Sequence, residues 1–243
     1  MPSVRVPNFD PATSGLIYPN HWPHQPIGQF RLGNVATLDI GDAANGLCGG
    51  MSYTVADLHA RGLPPGDDPQ PALGSDRYKY IVDRQIASFE GGRLPLRFFT
   101  LMSVARPARE SQMAALLGRF GIDRHSRTYV MVHEEWPAIR RKIDGGQLAM
   151  IGLVRVVSAD PTALSHNHQV LAYGYDLEGT TVVLRICDPN WARQTDVTIT
   201  FDAADPMGTI QPSWSKPPEI PGSRLECFFT YDYSPIDPTP WRP

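Results

Sequence analysis

The sequence predicts an α+β protein, with helices in its first half and an antiparallel sheet in its second. Between residues 48 and 143, apolar positions recur at helical spacing and the segments end at glycine. Between 148 and 233, short runs rich in β-branched residues alternate with turn residues. Runs of helix followed by runs of strand are the α+β pattern. The chain of 243 residues also carries 21 glycines and 24 prolines, nearly a fifth of its length. That is above the average of about 12% but below the roughly 25–30% of low-complexity sequence, so long ordered loops are expected. The expected layout is one domain over 1–243: an extended arm (1–46), a helical part (47–146), a sheet part (147–233) and a Pro-rich tail (234–243).

Residues 1–47 lack a period and carry turn residues, as in Tyr18-Pro19-Asn20-His21-Trp22-Pro23. They read as an arm with a short strand at Gln29–Leu32, packed on the domain because Phe9, Leu16, Ile17, Trp22 and Phe30 need cover. A helix begins at Cys48: Met51, Val55 and Leu58 lie on one face, and Gly62 and Pro64-Pro65 stop it. A Pro-rich loop follows over 63–74. A second helix spans Ser75–Phe89, with Ser75 as N-cap and Gly91-Gly92 as stop. A third covers Arg109–Phe120 and a fourth His133–Ile143, with Pro137 near its start. Strands are expected at Leu148–Val157, His168–Tyr175, Thr180–Cys187, Thr195–Phe201 and Arg224–Tyr233, with a hairpin turn at Asp176-Leu177-Glu178-Gly179. Ser234–Pro243 holds four prolines and reads as a tail or surface strap.

Composition excludes several classes. Hydrophobic residues make up 42% and charged residues 19%, so the chain is neither disordered nor fibrous. A net charge of −3 gives no sign of a nucleic-acid partner. No apolar run approaches the roughly 20 residues of a membrane helix, so no membrane insertion is expected. MPSVRVPNFDPATSG has no apolar core of a signal peptide, so a cytoplasmic location is the default; a non-Sec export route stays open. Three cysteines, at 48, 187 and 227, make no disulfide framework and no CxxC pair. No cofactor and no metal is called for.

The informative stretch is Asn45-Gly46-Leu47-Cys48-Gly49-Gly50-Met51, which puts a cysteine where a glycine-rich loop enters a helix. Backbone N–H groups at a helix N-terminus favour an anion, either a thiolate or a developing oxyanion. Gly49 and Gly50 are poor helix formers, and they are expected to let a substrate backbone approach the sulfur. A thiolate needs a base, and the base needs an orienting group. His168 opens a strand, in Asn167-His168-Gln169-Val170-Leu171-Ala172-Tyr173-Gly174-Tyr175, and Asp188 ends the next, in Arg185-Ile186-Cys187-Asp188-Pro189-Asn190-Trp191. An antiparallel hairpin sets strand start beside partner end, so Asp188 can fix the imidazole tautomer and stabilise the imidazolium.

These residues resemble the papain-like cysteine peptidase superfamily. Gly46-Leu47-Cys48-Gly49-Gly50-Met51 before a helix is similar to its nucleophile segment, and His168-x-Val170-x-x-x-Gly174-Tyr175 to its histidine strand. Asp188-Pro189 in third place resembles the branch of the bacterial double-glycine leader peptidases. The resemblance spans about residues 40–235. It implies a papain-like fold and a hydrolase cleaving a peptide or other amide bond through Cys48, His168 and Asp188, with a peptide or protein substrate. The papain-type glutamine six residues before the cysteine is Asp42 here, so the oxyanion donor falls to Asn45, or to Asn20 or Asn34 from the arm. Asn190 is an alternative orienter or a substrate contact. Two other readings share the site: acyl transfer or deamidation by the same triad, and a binding module that keeps the cleft without the chemistry.

Other features carry less. His166, two before His168, would share its face on a strand. His21 and His24 form an HxxH pair without an acidic or cysteine partner nearby. His133-Glu134-Glu135 reads as a solvated first turn. Cys187 and Cys227 read as inert core, able to pair only if their strands are neighbours. Trp136, Trp191 and Trp214 are cleft wall or core, with composition favouring core.

Overall fold

The computed structural model describes residues 2–23, 28–32, 36–40, 46–109, 125–204, 212–216 and 224–242. They form an α+β structure of helices and antiparallel sheet. The arm opens with β1 (Ser3–Arg5) and a one-turn helix α1 (Pro11–Ser14), whose first turn is capped by Asp10. A two-stranded sheet follows, β2 (Gly28–Leu32) with β3 (Ala36–Ile40), so the short strand expected at Gln29–Leu32 is present. The helices come next: α2 (Cys48–Ala60), α3 (Asp76–Ser88) and α4 (Arg93–Met102). Ser75 caps α3 by accepting from the Tyr78 N–H at 3.3 Å. Gly91-Gly92, the expected stop, are left-handed glycines that end α3 and turn the chain straight into α4. The helix expected at Arg109–Phe120 lies outside the described residues.

The fourth expected helix starts earlier than His133. A short α-helical turn (Arg127–Tyr129) runs into a π-helical segment (Val130–Glu135) and then α5 (Trp136–Asp144). Pro137 explains the wide turn: it has no N–H to give and its ring crowds the preceding turn. The solvated reading of this segment is corrected at Glu135, which is 2% exposed. Its carboxylate pairs with Arg97 and accepts the Thr230 N–H at 2.8 Å.

Strands β4 (Ala149–Val154), β5 (His168–Glu178), β6 (Thr181–Cys187), β7 (Thr198–Asp202), β8 (Ser213–Trp214) and β9 (Cys227–Tyr231) build a sheet in the order β8-β7-β6-β5-β4-β9. Every pairing is antiparallel. β1 adds to β5 beyond the end of β4, with Val4 opposite Tyr175. The hairpin turn lies two residues later than expected. Asp176 and Leu177 stay in β5, opposite Val183 and Val182, and Gly179 makes the turn at φ +61°. Asp176 stays because its carboxylate is committed inside the strand pair, to Ser3, Arg5 and Arg185.

One buried cluster joins the arm (Val6, Phe9, Leu16, Trp22), the helices (Leu58, Ile81, Met102) and the sheet (Ile151, Ile186, Phe228). Of the arm residues expected to need cover, Ile17 stays 42% exposed, and the side chain of Phe30 lies outside the described residues. Residues after β9 strap across α2 and α3. Trp241 is buried edge-on against Tyr80, and the Ile236 N–H donates to Asp57 at 3.0 Å. Asp57 is fully buried on α2; it pairs with Arg84 of α3 at 2.7 Å and accepts from the hydroxyls of Tyr80 and Tyr233.

The crossing of α2 and α3 fixes how closely the Cys48 helix sits on its neighbour. A Cβ at Gly50 would lie 2.1 Å from the Ile81 carbonyl oxygen. Gly50→Ala should therefore cost about 1–3 kcal/mol or more of stability in urea unfolding, as overpacked cores do. A wild-type midpoint would show that the helices separate freely.

Candidate active site

The chain enters α2 through Gly46, held left-handed at φ +47°, and Leu47. No side chain caps the helix from Leu47. The donors of the first turn find partners elsewhere: the Leu47 N–H donates to Asn20 Oδ1 at 2.8 Å and the Gly50 N–H to Gln85 Oε1 at 2.9 Å. The N–H groups of Cys48 and Gly49 belong to the set that an α-helix leaves without an intrahelical acceptor. Cys48 itself is 7% exposed.

His168 and Asp188 come to the same end of the sheet through strand register. Leu171 lies opposite Cys187, past a bulge between Ala172 and Gly174, so extending both strands sets 188 opposite 170, two residues from 168 on the same face. His168 Nε2 meets Asp188 Oδ1 at 2.7 Å, and both side chains are buried. Asp188 Oδ1 also accepts the Asn190 N–H at 2.9 Å, which pins the carboxylate to its own loop. With Nε2 on Asp188, the ring's other nitrogen is free of that bond, and the Cys48 sulfur is close enough to act on the imidazole. Burial alone would push this imidazole down. The Asp188 charge and hydrogen bond, with the adjacent Cys48 sulfur, lift it instead from 6.5 to about 10. The carboxylate thus favours the protonated ring.

Comparison with protein-family models, curated proteins and solved structures finds no match.

The structure brings Cys48, His168 and Asp188 together and leaves Asn190 apart from the histidine. Asn190 Oδ1 instead accepts from Asn20 Nδ2 at 3.0 Å. Asn45, Asn34, Asp42 and His24 lie outside the described residues. Asn20, considered above as an oxyanion donor, bonds to Asn190, Leu47 and Trp22. The expected job of Gly49 and Gly50 is corrected. The space a side chain would take at Gly49 is filled by the Gln169 amide and Ser88 Oγ, within 2.6 Å, and that at Gly50 by α3. Protein atoms fill the space beside both, so glycine is the residue that fits there.

Sequence reasoning missed a buried polar layer beneath the first turn of α2. Tyr231 donates to Gln169 Oε1 at 2.8 Å, and the Gln169 side chain lies against Gly49. Nothing in the spacing of the histidine strand distinguishes Gln169 from an ordinary filler. Two tryptophans given to the core are only partly buried and border the site. The Trp214 ring lies 6.4 Å from that of His168, with the Arg155 guanidinium 5.4 Å over the same tryptophan ring; Lys216 Nζ sits 5.1 Å over Trp191. Trp136 is core, edge-on to Tyr175 and Phe201. His166 is not on the strand: it ends a 3-10 turn (Pro161–His166) and is exposed.

Cys187 and Cys227 cannot pair as neighbours, because β5 and β4 lie between their strands. Burial pushes both thiols up to about 12. Among the described residues, no group of three or more His, Cys, Asp or Glu side chains is placed to hold a metal, and no helix is long and apolar enough to cross a membrane.

Proposed function

We propose that this chain is a papain-like cysteine hydrolase acting on a peptide or other amide bond. The observation that carries the proposal is the imidazole of His168, held between the Asp188 carboxylate and the Cys48 sulfur. A histidine oriented by a carboxylate beside a cysteine at a helix N-terminus is the arrangement that nucleophilic catalysis by a thiol needs. The order of the residues along the chain and the Asp-Pro in third place support the branch resemblance.

Cys48 Sγ attacks the carbonyl carbon, forming the C–S bond as the carbonyl π pair moves onto oxygen. The backbone N–H groups at the start of α2 receive that oxyanion. His168 gives its proton to the leaving nitrogen as the C–N bond breaks, which leaves a thioester. His168 then takes a proton from water, whose oxygen attacks the thioester; the products are the carboxylic acid and the restored thiolate–imidazolium pair. Asp188 keeps the ring in orientation throughout.

The test is acylation with p-nitrophenyl acetate, followed by intact mass and peptide mapping. An acetyl group on Cys48 that water removes is the expected result, with no adduct on Cys187 or Cys227. Amine acceptors added at the second step separate transfer from hydrolysis. Failure to acylate Cys48 would overturn the hydrolase reading and leave a binding module.

A further inference from the structure

We propose that Asn20 is a positioning residue that locks the start of the nucleophile helix to the aspartate loop, so that Cys48 and His168 meet. This rests on the reading of Cys48 as nucleophile. The inference comes from the hydrogen bonds of a single residue of the arm. The Asn20 backbone N–H donates to the Pro189 carbonyl at 2.8 Å. Its side-chain Nδ2 donates to Asn190 Oδ1 at 3.0 Å. Its Oδ1 accepts the Leu47 N–H at 2.8 Å and the Trp22 indole N–H at 3.1 Å. Pro189 and Asn190 directly follow Asp188, and Leu47 directly precedes Cys48. Asn20 therefore holds both chain segments whose relative position sets the triad.

The arm holds Asn20 firmly enough for this. Tyr18 and Trp22 flank it and pack edge-on at 6.1 Å, and Trp22, 1% exposed, packs on Tyr78 of α3. Contact on the nucleophile side is close. A Cβ at Gly46 would lie 2.5 Å from Asn20 Nδ2, so the left-handed glycine lets the loop lie on the amide. The side chain must be an amide because it gives and accepts at once. An aspartate keeps the acceptor for Leu47 but loses the donor to Asn190. The histidine is engaged through the same loop, since Asp188 Oδ1 takes both the Asn190 N–H and His168 Nε2.

The experiment pairs two readouts on wild type, Asn20→Ala, Asn20→Asp and Asn190→Ala. The first is the rate of Cys48 alkylation by iodoacetamide from pH 5 to 9, and the second is amide hydrogen exchange of peptides covering residues 46–51 and 187–192. Asn20→Ala should speed exchange in both segments and slow alkylation about tenfold to a hundredfold, as a small misplacement of reacting groups does. Its alkylation pH profile should also change shape, which loss of stability alone would not cause. Asn20→Asp and Asn190→Ala should loosen 187–192 more than 46–51; they carry the test if the alanine variant does not fold. Unchanged exchange in either segment of Asn20→Ala would overturn the link. Faster exchange with wild-type alkylation would overturn the positioning role. A wild-type Cys48 no more reactive than a small-molecule thiol would overturn the nucleophile reading and the positioning role with it, while exchange decides the link separately.

Discussion

His168→Ala should slow alkylation of Cys48 by iodoacetamide at pH 6 about a hundredfold or more, the scale of a lost acid–base partner. The imidazolium is the positive charge beside the sulfur, and alanine removes it while leaving Cys187 and Cys227 as unreactive as before, since burial holds both thiols high. Intact-mass kinetics give the rate and peptide mapping the site. Equal rates in the two proteins would sink the ion pair. The same substitution should leave a pH signature in stability. The folded imidazole titrates at about 10 against 6.5 for the ordinary group. A raised value means that the folded state binds the proton more tightly. The stabilisation is thus fully present below 6.5 and is lost as pH rises through about 10. The difference in unfolding free energy between wild type and His168→Ala should narrow across that window. A gap that widens with pH would mean that the histidine is held neutral.

Arg84→Met should cost about 3–5 kcal/mol in urea unfolding, the range for removing one member of a buried ion pair. The loss comes from Asp57, which is 0% exposed and would be left with only the hydroxyls of Tyr80 and Tyr233 and the Ile236 N–H as donors. The double variant Asp57→Asn with Arg84→Met should lose less than Arg84→Met alone, because no buried charge is left without its counter-ion. A single-variant loss below about 1 kcal/mol, the range of an exposed pair, would show that water reaches the site.

Much of this molecule was legible in its residues, and the illegible parts share a cause. α2 and α3 carry their own start and stop signals, Ser75 as a cap and glycines beyond, and these act locally. His168 and Asp188 were readable together because hairpin register is nearly arithmetic; only the turn slipped, as Asp176 had partners on another strand. What escaped depends on a neighbour far along the chain. Gly49 and Gly50 looked like room for substrate until Gln169, Ser88 and Ile81 filled that room. Glu135 looked solvated until Arg97 and Thr230 closed on it. Asn20, in a turn-rich arm, gave no local sign that it reaches Leu47 and Asn190.

The strap over α2 has a consequence in time. Asp57 receives Tyr233 and Ile236 from 176 and 179 residues later in the chain. During synthesis its helix is made long before those donors leave the ribosome, with a carboxylate that has yet to be enclosed. Contacts of such long range close late and slowly. The strap should therefore be the last element to close on α2, after α3 has already packed against it. The enclosure of Asp57 is thereby left to a late stage of folding, after the helix that carries it has formed.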